Sequence, residues 1–290
     1  MPCASRHLRT GAGAPPAPDP AGLPGARAGS MRPMHMRFDH AVVVVESLPA
    51  AVAAFTDAGF TVSPGGRHDA IPTENALVAF ADGTYLELLA FREPAVRTEL
   101  RALRASDAWA AHLHGTGAVA RRFLPRLAGP EGVADAVVAR GALTRFAAES
   151  RKREFVMTGP VPMRRERNGD AALAWELLLP AEDAIPFMIE DRTPREWRVP
   201  SSPGATRHAN AATGIAAVEV TAREPAAVAL RLADLFGARL EARDGRTCVT
   251  FADTAWWLMP GERDGASGVR LRGTRPLPAA IAALGVRAAE

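Results

Sequence analysis

One order of predicted elements recurs along the chain and limits what it can fold into. "FDHAVVVV" reads as a strand, and "SLPAAVAAFTDAG" as a helix capped by Ser47 and stopped by Gly59. "FTV", "NALVAF" and "YLELLAF" follow as strands, the last two joined by the tight turn "ADGT". The order over residues 38–91 is β-α-β-β-β. It returns from residue 132: "GVADAVVAR", the helix "GALTRFAAESRK", then "EFVMTGPV", the polar turn "RRERNGDA", "LAWELLLP" and "IPFMIED". A third copy starts at Gly214, where "GIAAVEVTAREPAAV" can be laid on "FDHAVVVVESLPAAV". "RTCVTF" and "AWWLM" are its later strands. A repeated supersecondary unit argues for stacked copies of one module. The fold class is therefore α+β, built of repeated βαβββ modules with a third, degenerate βαβββ module.

The boundaries follow from the same reading. Residues 1–36 are rich in Pro, Gly, Ala and Arg and show no hydrophobic period, so they read as a disordered tail. The two-module domain occupies 37–198, with modules at 37–93 and 131–192. Residues 199–213 link it to the third module at 214–290. Residues 94–128 read as irregular helix.

Charge excludes one class of partner. The sequence pI of about 9.4 suggests a polyanion. Residues 1–37, however, hold five arginines and one aspartate, a charge of +4, which leaves −1 for the remainder of a chain whose net charge is +3. A nucleic-acid surface is not expected on the folded part. No apolar run approaches a membrane span. Two cysteines, Cys3 and Cys248, allow no disulfide framework, which fits a cytoplasmic protein. The Trp256–Trp257 pair offers an apolar contact for a homodimer, although one Trp of such a pair is usually core.

Strand alternation brings His40, Val42 and Val44 to one face, and Tyr85, Glu87, Leu89 and Phe91 to another. A carboxylate within "YLELLAF" needs a partner if buried. Pairing of the module's outer strands would supply one in His40. An imidazole and a carboxylate facing one cavity are half of a hard divalent-metal site. They could equally be a hydrogen-bonded dyad without metal. Weaker candidates for substrate contact are His68 and Asn75, which flank the long loop, Arg164 with Arg165 and Arg167 around the turn "RRERNGD", and Trp175 in "LAWEL".

The segments "FDHAVVVVESL", "GFTVSPGGRH", "ENALVAFADGTYLELLAF", "GPVPMRRERNGDAALAWEL" and "IPFMIEDRTP" together resemble the glyoxalase-like branch of the vicinal oxygen chelate superfamily. The resemblance implies paired βαβββ modules forming a cupped mixed sheet around a pocket. In metal-dependent members the first strand gives a His or Gln and the fourth a Glu, here His40 and Glu87. In the second module the position of His40 falls near Ala134 or Asp135, and that of Glu87 on Met188 or Glu190, according to register. In the third module His40 falls on Ala216, and "AWWLM" has no carboxylate.

The resemblance implies a metal-assisted lyase or isomerase acting on a small oxygen-bearing molecule. Zinc, nickel, manganese or iron would be held by His40, Glu87 and Glu190. The alternative is metal-free small-molecule binding in the same cup. Extradiol-type dioxygenase chemistry ranks third, because it needs a second histidine. Met31, Met34 and Met36 closely follow the tail, and translation is expected to begin at one of them. Mass spectrometry of the native protein should find its N-terminus there; a native Met1 terminus would refute this.

Overall fold

Eight of the strands make one continuous sheet, and its curvature creates the site. The structure is a computed structural model that describes residues 36–68, 70–167, 170–243 and 246–289. Residues 1–35, and with them nearly all of the predicted tail, lie outside the described residues. The first module runs β1 (Arg37–Val44), α1 (Leu48–Asp57), β2 (Ser63–Arg67), β3 (Thr73–Ala79) and β4 (Tyr85–Phe91). Ser47 caps α1 by accepting from the Ala50 N–H, and Gly59 ends it with φ +82°.

Three short helices follow, α2 (Pro94–Arg104), α3 (Trp109–His114) and α4 (Ala118–Leu127). The second module is β5 (Gly132–Ala139), α5 (Leu143–Arg151), β6 (Met157–Arg167), β7 (Asp170–Pro180) and β8 (Phe187–Asp191). The polar turn expected at "RRERNGDA" is shorter than the sequence suggests, because β6 continues through Arg167.

The sheet order is β2-β3-β4-β1-β5-β8-β7-β6. Within each module the first strand pairs parallel with the last, β1 with β4 and β5 with β8, while β1 and β5 join the halves antiparallel. The two modules are thus related by a local two-fold between β1 and β5.

A linking segment containing α6 (Pro203–Thr206) is tied down by buried side chains. His208 accepts from the Thr61 N–H at Nδ1 and meets the Ala79 carbonyl through Nε2. The third module comprises β9 (Gly214–Ala222), α7 (Pro225–Phe236), β10 (Arg239–Arg243), β11 (Arg246–Phe251) and β12 (Thr254–Pro260). Beyond it lies a piece that the sequence reading does not separate: β13 (Gly265–Arg272), α8 (Ala279–Ala283) and β14 (Val286–Ala288). β13 pairs antiparallel with β9 and parallel with β14, as β5 does with β1 and β8. It is a shortened fourth module without counterparts of β6 and β7 among the described residues. The second sheet is β10-β11-β12-β9-β13-β14.

The two sheets share one core. Val43 and Val138 from the first and Val218, Val249 and Trp256 from the second belong to a single buried cluster. Phe38 meets Trp256 edge to face at 5.8 Å, and Trp256 stacks on Phe251 at 4.6 Å. Of the tryptophan pair, Trp256 is fully buried and Trp257 half-buried. Trp256→Ala should therefore lower unfolding free energy by about 3–5 kcal/mol in urea titrations. A change below about 1 kcal/mol would show that the shared core is not what holds the second sheet.

Candidate functional site

The concave face of the eight-stranded sheet encloses a cavity of about 100 Å³ roofed by Val119, Phe123 and Leu127 of α4. Its wall is mostly apolar: Leu89, Trp175, Leu177, Phe187 and Ile189 all face it. The polar side is built by the first module. Parallel pairing sets His40 opposite Tyr85 and Val42 opposite Glu87, so His40 and Glu87 are diagonal neighbours on one face. His40 Nε2 lies 3.4 Å from Glu87 Oε2. The Tyr85 ring stacks on the imidazole at 4.3 Å.

A bulge between Phe38 and His40 in the β1–β5 pairing sets Asp39 beside the imidazole. Its Oδ2 meets His40 Nδ1 at 3.0 Å. Asp39 has no exposure to water. It is held by Arg195 (2.9 Å to Oδ1) and Arg198 (3.2 Å to Oδ2), both from the chain just past β8. Arg198 also forks onto Asp191 and donates to the Tyr85 hydroxyl. Charges thus alternate from the two arginines through Asp39 and His40 to Glu87.

His68, directly after β2, and Asn75 of β3 join this arrangement. Asn75 Nδ2 donates to Glu87 Oε1, and its Oδ1 accepts from the Gly66 N–H at 2.7 Å. The "GG" that the sequence placed in a loop lies in β2, and Gly65 is required there: a Cβ on it would sit 1.9 Å from Asn75 Oδ1. His68 Nδ1 bonds Thr73 Oγ1 at 2.9 Å, and its Nε2 lies 3.9 Å from Glu87 Oε1.

Burial alone would raise the Glu87 pKa and lower that of His40; the partners reverse both. The hydrogen bond and charge of His40, with lesser help from His68 and Asn75, bring Glu87 down to about 2. Hydrogen bonds to Asp39 and Glu87 raise His40 above its ordinary value. Asp39 is driven well below the carboxylate range, against its burial, by Arg198, His40 and Arg195. The two flanking carboxylates thus favour the protonated form of His40.

A sequence model of the glyoxalase-like domain matches residues 38–236. The chain belongs to this family. With its βαβββ modules the glyoxalase-like chain is a member of the vicinal oxygen chelate superfamily. A hypothetical protein from Staphylococcus aureus has a similar structure, with a TM-score of 0.63 at 17% identity over 81% of this chain and 90% of that one. The Mn(II)-bound glyoxalase from Novosphingobium aromaticivorans gives 0.47 at 9% identity, over 82% and 66% of the two chains. An extradiol ring-cleaving dioxygenase from B. fuscum gives 0.43 at 11%, over 81% and 56%. Comparison with curated proteins finds no match.

The glyoxalase-like fold implies a metal, and the side chains present can be tested against one. The local two-fold sets Val137 where the first module has His40, and Ile189 where it has Glu87, because Val137 pairs with Phe187 and Ala139 with Ile189. Both positions are hydrocarbon. Glu190 lies on the opposite face, where it accepts from the Leu143 N–H at the start of α5 and pairs with Arg192. The structure does not bring it to His40 and Glu87. Asp135 is likewise remote, locked by Arg122 and Arg126, and Ala134 does not take the His40 position.

His40 and His68 flank Glu87, each addressing a different oxygen. Among the described residues no group of three or more His, Cys, Asp or Glu is placed to hold a metal ion. The donor set therefore does not fit the group that the fold implies.

Other positions moved by one residue. Arg164 is exposed on the outer face of β6, whereas Arg165 lines the pocket. Trp175 faces the pocket and Glu176 turns out to Arg192. In the third module pairing sets Ala217, not Ala216, at the His40 position and Trp257 at that of Glu87. Sequence reading missed Asp39, Arg195 and Arg198, while Arg165 stood among the arginines of the run around Arg164. An acid directly before His40 was the available signal for Asp39; Arg195 and Arg198 had none.

The pKa shifts have opposite consequences for stability. His40, raised in the folded state, stabilises fully below its unfolded value of 6.5, and this is lost as pH rises through the folded value. Glu87 stabilises above 4.5, and its contribution is lost as pH falls towards about 2. An NMR titration should find the His40 imidazole protonated above pH 6.5 and its pKa lowered in Glu87→Gln. A His40 that titrates below 6.5 would remove the ion pair.

Proposed function

We propose that this glyoxalase-like protein binds a small molecule in the cup of the eight-stranded sheet without a resident metal ion. The observation that carries this reading is the pair Val137 and Ile189 at the two positions where a second set of metal ligands would have to stand. Two further features support it. The lining is apolar, with polar groups gathered at one side, the usual form of a ligand pocket. Glu87, held at about 2, is a poor general base at neutral pH but a strong hydrogen-bond acceptor.

A metal-assisted lyase or isomerase is the second reading, and one observation favours it: His68 brings a second imidazole towards the carboxylate of Glu87. The two histidines, however, address different oxygens of Glu87.

Elemental analysis of protein purified without chelator or added metal separates the readings. Metal binding predicts one equivalent of zinc, nickel, manganese or iron, lost in His40→Ala and Glu87→Ala. The metal-free reading predicts well under one equivalent, with ligand-induced thermal stabilisation unchanged by EDTA. Stoichiometric metal removed by either substitution would overturn it.

A further inference from the structure

Taking the pocket as a metal-free binding site, the pairing of its polar groups also says what class of molecule it takes. The charged side chains on the lining are already engaged within the protein. Arg198 forks onto Asp191 at 2.7 and 2.9 Å and reaches Asp39 Oδ2 at 3.2 Å. Arg165 is engaged as well, and its guanidinium packs against Gly66. Glu87 faces His40, whose protonated form its flanking carboxylates favour. An ion entering this apolar cup leaves water and finds no free counter-ion, which is strongly unfavourable. An ammonium group would have to share one carboxylate with His40, and a second carboxylate would face Glu87. The pairing therefore selects an uncharged occupant.

The neutral groups of the lining are satisfied too. Asn75 is divided between Glu87 and the Gly66 N–H, His68 Nδ1 bonds Thr73 Oγ1, and the Tyr85 hydroxyl accepts from Arg198. Glu87 alone keeps clear acceptor capacity. An ionised carboxylate offers roughly four acceptor positions and no proton to donate. His40 and Asn75 approach one oxygen each. The side chain lines the cavity, keeps 13% exposure, and is the one acidic side chain there among the described residues. An occupant with a donor fills one of the remaining positions. An occupant without one covers them and leaves a buried charge short of a hydrogen bond.

The other walls set the body of the molecule. Leu89, Phe123, Trp175, Leu177, Phe187 and Ile189 offer hydrocarbon and ring faces. About 100 Å³ is less than the ~150 Å³ cavity known to admit benzene, so the body is small.

We infer that the pocket selects a small uncharged molecule with an apolar body and one hydrogen-bond donor, in its simplest form a monofunctional alcohol whose O–H donates to Glu87. NMR titration of the full chain with four probes of similar size tests this: 1-butanol, its isomer methyl propyl ether, butylammonium and butanoate. The readout is the shift of resonances from pocket side chains such as the Trp175 indole and the Ile189 methyl groups. Butanol should bind about tenfold tighter than the ether, which lacks the donor, and tighter than either ion. Glu87→Met removes the acceptor and should bring the two isomers to within about twofold of each other.

An ether that binds as tightly as the alcohol, or an ion that binds more tightly, would overturn the inference while leaving the pocket a binding site. If none of the four probes binds wild-type protein, the binding reading fails together with it. The decisive comparisons use wild-type protein, so a Glu87→Met variant that does not fold leaves the test intact.

Discussion

A carboxylate sealed from water lies behind the pocket, and the geometry in front depends on how it is neutralised. Asp39 sits at a bulge of β1 with no exposed surface. An unpaired charge there would cost several kcal/mol, so the chain following β8 returns to deliver Arg195 and Arg198. This fixes more than Asp39. His40 is aligned through Nδ1, which directs Nε2 to Glu87. Arg198 reaches Tyr85 and Asp191 as well, so one guanidinium joins β4 to the end of β8. Segments far apart in sequence thus converge on a single buried acid.

The two halves of the sheet have diverged in chemistry while keeping one backbone plan. Their equivalent positions carry His40, Tyr85 and Glu87 in the first module and Val137, Phe187 and Ile189 in the second. Polar and apolar walls therefore face each other across the cavity. Such asymmetry suits an amphiphilic occupant better than a centrally held ion. The second sheet goes further. Ala217 and Trp257 take the two positions, and its fourth module stops at a three-residue strand. Its inner face instead packs onto the first sheet through Phe38, Trp256 and Phe251, so the later copies contribute packing.

How much of this is legible in the chain differs from residue to residue. His40 and Glu87 stand out because polar groups interrupt otherwise apolar strands, and burial makes such interruptions informative. Asn75 and His68 are visible as polar residues near a glycine pair, and the approach of Asn75 to Gly65 explains why that composition is needed. Arg164 and Glu190 are adjacent to the pocket-facing residues Arg165 and Ile189. Both differences come from the same source: side chains alternate along a strand, so a register uncertain by one residue exchanges the two faces.

By itself the sequence determined the order of the modules, the identity of most strands and the first-module pair His40 and Glu87. Hydrophobic period, caps and turns are local properties and need no knowledge of the neighbours. Only the tertiary structure decided what opposes that pair. Strand register is set by pairing between segments distant in the chain, and the bulge at Asp39 shifts it by one residue. That pairing sets Val137 and Ile189 where ligands were expected and turns Glu190 outward, and the chain past β8 brings in Arg195 and Arg198 from outside the recognised motifs.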